Sequence, residues 1–145
     1  MSLFDTGTPQ SEDRPVKIIR VGAIAAAVAL CAGCATGQRA DDSRNVAASF
    51  VDAMAGGDTG AACALLATDT RDALEKSEQQ PCAKALESVD IAGGAIGDTA
   101  VWGDRAQARS PSGTLFLVEL DSGWRVAAAG CTRQDDSTYD CLLAA

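Results

Sequence analysis

The chain has 145 residues, 20 Asp and Glu against 12 Lys and Arg, and no histidine, for a formal net charge of −8 at pH 7. That length sets one domain as the working count. The acidic balance repels phosphate backbones and disfavours nucleic acid, and the missing histidine removes the commonest general base, the usual catalytic triads and most zinc sites.

The first element is an uncharged apolar run, Val21-Gly22-Ala23-Ile24-Ala25-Ala26-Ala27-Val28-Ala29-Leu30, with Lys17 and Arg20 before it and Cys31-Ala32-Gly33-Cys34 after it. This is the layout of a signal peptide, and the run falls short of the roughly 20 apolar residues that a permanent span needs. Ala32-Gly33-Cys34 resembles the end of a bacterial lipobox, with Cys31 standing where leucine is usual. The resemblance implies cleavage before Cys34 and acylation of its thiol. Cys31 and Cys34 also form a C-x-x-C pair, but a redox pair of that kind follows a strand and opens a helix, whereas this one closes a signal-like run. Residues 1–15 are long and mildly acidic for a signal opening, and a start at Val16 would give a compact basic one. The organisation expected is therefore a signal peptide over 1–33, a short polar lipidated tether over 34–42, and one domain over 43–145.

Because Arg14, Lys17 and Arg20 balance Asp5, Glu12 and Asp13, the net charge belongs wholly to the part after residue 33. From Ser43 the pattern turns helical: Val46, Phe50 and Met54 recur at four, with Ala47 and Val51 beside them. Asp42 or Ser43 is the expected cap and Gly56-Gly57 the stop. A second helix is expected from Asp58 or Thr59 with Ala62, Cys63, Leu65 and Leu66 inward. A third lies within 68–80, and Pro81 opens a further segment bearing Ala85, Leu86 and Val89.

Beyond Asp90 the pattern changes to strands and turns. Gly93-Gly94, Gly103-Asp104, Ser110-Pro111-Ser112-Gly113 and Asp121-Ser122-Gly123 separate runs at 100–102, 105–109, 114–120 and 124–129, and a last strand is expected around 139–143. The run 115–120 is apolar on both faces over most of its length, the pattern of a central strand covered on both sides. The fold class is α+β, with helices first and then four or five antiparallel strands.

Setting aside Cys31 and Cys34 leaves Cys63, Cys82, Cys131 and Cys141, an even set in a chain with an export signature, so disulfides are expected. Four cysteines admit three connectivities; the local pairs Cys63–Cys82 and Cys131–Cys141 are the expectation. Zinc is disfavoured because neither spacing makes a C-x₂₋₄-C knuckle. No cofactor or metal site is expected.

The order of helices followed by an antiparallel meander resembles the NTF2-like, cystatin-like α+β cone. Ser49-Phe50-Val51-Asp52-Ala53-Met54, Cys63-Ala64-Leu65-Leu66-Ala67, Val101-Trp102-Gly103-Asp104, Gly123-Trp124-Arg125-Val126, Gly130-Cys131 and Tyr139-Asp140-Cys141 resemble motifs of small lipoproteins of high-GC Gram-positive bacteria. That likeness implies export and a fold; it carries no reaction. The leading expectation is a non-enzymatic domain on the outer face of the cell membrane that binds an envelope protein or a small apolar ligand, with Phe50, Trp102, Phe116 and Trp124 as core. The alternative is an isomerase or dehydratase using a carboxylate lifted by apolar surroundings, drawn from Asp52, Asp98 or Glu119 with Tyr139 as hydrogen-bond donor. The stretch 135–140 reads as a solvated hairpin tip closed by a disulfide.

Overall fold

The computed structural model describes residues 19–145, with side chains described from Gly37 onward, so the expectations for residues 1–18 and for the side chain of Cys34 lie outside the described residues. The chain divides into two compact units at the Cys34–Ala35 bond, and the α+β fold belongs to the second, Ala35–Ala145.

Helix α1 (Ile19–Ala55) does not begin at the cap expected at Asp42 or Ser43. Residues 35–42, read as a short polar tether, are already helical. Gln38, Arg39 and Ala40 are good helix formers with no proline to interrupt them, and Arg39 is held by Glu119 from across the domain. Ser43, fully buried, turns its hydroxyl back to donate to the carbonyl of Ala40 at 3.0 Å rather than capping. The end is where the glycines place it. Gly57 sits at φ 73°, its N–H reaches the Met54 carbonyl, and the Asp58 N–H reaches that of Ala53, which is the Schellman arrangement.

Asp58 then caps α2 (Thr59–Leu65), accepting from the Ala61 N–H at 3.0 Å. Helix α3 (Thr68–Glu78) follows, and α4 (Cys82–Leu86) starts immediately after Pro81. The sheet is β1 (Thr99–Trp102), β2 (Arg105–Ser110), β3 (Gly113–Leu120), β4 (Gly123–Arg133), β5 (Tyr139–Asp140) and β6 (Leu143–Ala144), all pairs antiparallel. The order is β1-β2-β3-β4-β5, with β6 also on β4. The single last strand expected at 139–143 is thus two short ones. They are split at Cys141, whose disulfide to Cys131 ties the segment back to β4.

Both expected disulfides are present, Cys63–Cys82 joining α2 to α4 and Cys131–Cys141 closing the C-terminal segment. One buried cluster contains Ala47, Phe50 and Val51 of α1, Ala62 of α2, Leu74 of α3 and Ala85 and Leu86 of α4. It also contains Ala106, Ala108, Leu115, Leu117, Trp124 and Val126 of the sheet. The sheet residues of this cluster alternate along each strand, so they share one face. The opposite face is a different matter: Phe116 and Val118 are only half-buried. The strand read as covered on both sides is covered on one.

Candidate functional site

The open face can be read row by row from the strand register. Trp102 pairs with Arg105, Arg105 with Val118, and Val118 with Arg125, giving one row across four strands. The next row runs Ala100, Gln107, Phe116 and Ala128. Register shifts in the β3–β4 ladder around Phe116 insert extra residues on β4, the kind of bulge that bends a sheet locally. Arg109 and Thr114 continue the pattern beside Cys131.

Polar and aromatic groups on this face brace one another. Phe116 and Tyr139 meet edge to face with ring centroids 4.9 Å apart, Gln107 Nε2 donates to the Tyr139 hydroxyl at 3.1 Å, and the Arg133 guanidinium lies 5.7 Å from the Tyr139 ring centre. Tyr139 is therefore occupied as an acceptor within a packed group.

Toward the β1–β2 and β3–β4 turns lies a cleft of about 510 Å³. Val118, Leu120 and Ala127 supply its apolar lining, Asp104 and Arg105 a charged wall, and Ala67, Thr68, Asp69 and Thr70 the start of α3. That wall is held in place by two bonds to β4: the Ala67 N–H donates to the Val126 carbonyl at 2.8 Å, and Thr70 Oγ1 to the Ala127 carbonyl at 2.8 Å. The buried Thr70 thus uses its hydroxyl to fix the helix against the bulged part of β4.

The expected core aromatics divide. Phe50 and Trp124 are buried, Phe116 is half-buried, and Trp102 is 49% exposed, which corrects its placement in the core. The cause is position: Trp102 ends the edge strand β1 and its row lies on the open face. Trp124 lies on the covered face and carries the Arg39 guanidinium 5.6 Å from its ring centre.

The carboxylates proposed for acid–base chemistry do not converge. Asp52 and Asp98 are exposed, on α1 and just before β1. Glu119 is half-buried but paired with Arg39, whose Nε donates to Oε2 at 3.0 Å while Nη2 donates to the same oxygen and, at 2.5 Å, to the Gly103 carbonyl. None of the three is a buried, unpaired acid. No protein-family model, curated protein or solved structure matches this chain.

Residues 135–138 form an exposed turn organised by one side chain. Asp135 accepts from the Ser137 N–H at 2.8 Å and from the Thr138 N–H at 2.7 Å, and these bonds, led by that from Ser137, hold its carboxyl below the ordinary carboxylate range. Among the described residues no group of three or more Cys, Asp or Glu is arranged to hold a metal ion, and no helix is long and apolar enough to cross a membrane. Arg39, Leu120 and the first turn of α3 were not singled out by the sequence. The alternation Arg105, Gln107, Arg109 against Ala106 and Ala108 is the signal that marks the open face.

Proposed function

We propose that the chain is an exported lipoprotein of the cell envelope, anchored at the outer face of the membrane through Cys34, whose α+β domain is a non-enzymatic binding module. The address rests on the apolar run, its basic flank and Ala32-Gly33-Cys34. It is supported by the pairing of all four later cysteines, since disulfides persist in oxidising compartments. The finer fold reading is an NTF2-like cone, supported by the order of elements and by the bulges that bend β4.

One observation carries the binding reading: the cleft over Val118, Leu120 and Ala127 at the turn end of the open sheet face, walled by the start of α3. A concave, largely apolar site with a few polar groups at its edge is what a small apolar ligand or a partner side chain requires. Asp52, Asp98 and Glu119 contribute no buried carboxylate to it.

Native mass spectrometry of protein purified from membranes tests both parts, beside Cys34→Ala and Val118→Asp. The reading expects cleavage before Cys34 with added acyl mass, four thiols that appear only after reduction, and a bound species lost in Val118→Asp. An unprocessed, fully reduced chain would overturn the address, and a bound species that survives Val118→Asp would move the site elsewhere.

A further inference from the structure

We infer that the turn end of the sheet, led by Trp102 and Leu120, docks into the interfacial zone of the same bilayer that carries the anchor. The inference rests on the reading of Cys34 as acylated. Trp102 is 49% and Leu120 42% exposed, and they are two of the three large exposed hydrophobic side chains among the described residues. Trp102 ends β1 and Leu120 ends β3, two strands that run in the same direction, so both lie at one end of the sheet. The register puts Trp102 in the row of Val118, and strand alternation puts Leu120 on that same open face. Two strand spacings separate them laterally, about 10 Å. The third exposed residue, Leu142, lies against Gly130 and takes no part in this patch.

Chain connectivity says what covers the patch. Arg39 is held at this end by its bonds to the Gly103 carbonyl and to Glu119. Only five residues lead from Cys34 to Arg39, a stretch that spans at most about 18 Å even when fully extended. A lipid on Cys34 therefore keeps the Gly103 and Glu119 end of the sheet within reach of the headgroups.

Charge permits the approach at this end. The domain as a whole is strongly acidic, and here Arg39, Arg105 and Arg125 offset most of the charge of Asp69, Asp104, Glu119 and Asp121. An anionic bilayer repels this nearly neutral end less than the remainder of the domain. An indole beside leucine suits the headgroup zone, where one part of the ring is apolar and its N–H is wet.

The test uses the acylated protein, made from the full chain, in vesicles of phosphatidylcholine and phosphatidylglycerol with brominated acyl chains. The sequence contains two tryptophans, so Trp124→Phe leaves Trp102 as the sole emitter. Docking expects Trp102 emission to fall about twofold against non-brominated vesicles, as for an indole at the interface. Should Trp124→Phe not fold, subtracting the emission of Trp102→Phe from that of the unsubstituted protein reads the same quantity. Acylated protein with an unquenched Trp102 overturns docking and leaves the lipoprotein reading intact. Protein without acyl mass overturns both. An unquenched Trp102 that becomes shielded from iodide on adding envelope proteins assigns the patch to a protein partner and overturns docking.

Discussion

Breaking the Cys63–Cys82 disulfide is expected to remove a large part of the domain's stability. The bridge closes a sequence separation of 19 residues, from α2 to α4. Loop-closure entropy for that length corresponds to about 3.2 kcal/mol at 25 °C, and the separation of 10 between Cys131 and Cys141 to about 2.7 kcal/mol. Against a total of about 5–15 kcal/mol for a small domain, loss of both leaves little or nothing. Urea denaturation monitored by Trp124 fluorescence is the assay, applied to oxidised protein, reduced protein and Cys63→Ala/Cys82→Ala. Reduction opens both bridges, so oxidised and reduced protein are compared in a Cys131→Ala/Cys141→Ala background, where reduction leaves the buried Cys82 sulfur in place and isolates this cross-link from the small packing loss of the alanine variant. With a urea slope of about 1–2 kcal/mol per molar, loss of this bridge lowers the midpoint by about 1.5–3 M. Equal midpoints for oxidised and reduced protein would refute the reasoning, since the cross-link would then restrict nothing in the unfolded chain.

Arg39→Ala is expected to cost about 1 kcal/mol, the scale of an exposed ion pair together with a cation–π contact, whereas an unstructured tether would give no change in the same urea titration. Gly113 adopts φ 120° and a Cβ there would lie 2.8 Å from the Cys131 carbonyl oxygen, so Gly113→Ala is expected to lower stability by about 1–3 kcal/mol and to disturb the β3–β4 amide resonances. Leu117 and Val118 are neighbours on β3 with opposite environments. Leu117→Asp should abolish folding by circular dichroism, while Val118→Asp should leave a folded domain that has lost its bound species. For Asp135 the folded carboxyl titrates below its unfolded value, so its contribution is present above the unfolded pKa and is lost as pH falls through the folded one. Carboxyl-detected NMR should place its midpoint below that of the same residue in the unfolded chain, and Ser137→Pro, which removes the first N–H donor, should raise it.

The elements that could be read from sequence are those with a strong local signal. Val46, Phe50 and Met54 at helical spacing with Gly56-Gly57 behind them mark the apolar face and the end of α1, because a Schellman turn needs the positive φ that Gly57 supplies. Asp58 as a cap and the glycines between strands are equally local. What escaped reading depends on contacts far apart in the chain. The stretch 34–42 carries no apolar periodicity, and its helical state is matched by Arg39 reaching Glu119, eighty positions away. Trp102 looks like core by composition, but burial of an indole on a strand depends on which face its row occupies and on whether another strand lies beyond it. Trp102 has neither cover, whereas Trp124, on a strand flanked on both sides, is enclosed.

Neighbouring segments likewise account for β3 being apolar on both sides although helices cover only one. Leu115 and Leu117 enter the core, and Phe116 is half-covered by Tyr139, which the Cys131–Cys141 bridge and Gln107 hold over the sheet. Toward the turn end there is no such cover, and Val118 and Leu120 line the cleft instead. The apolar residues of β3 thus divide by neighbour: those near the C-terminal segment are finished by the chain itself, and those near the turns are not. A domain that completes its own core while leaving Leu120 and Trp102 exposed and Val118 half-buried at a single end retains apolar surface whose burial requires a second body. If Cys34 is acylated as proposed, the short link from that end to the anchor makes the membrane that second body.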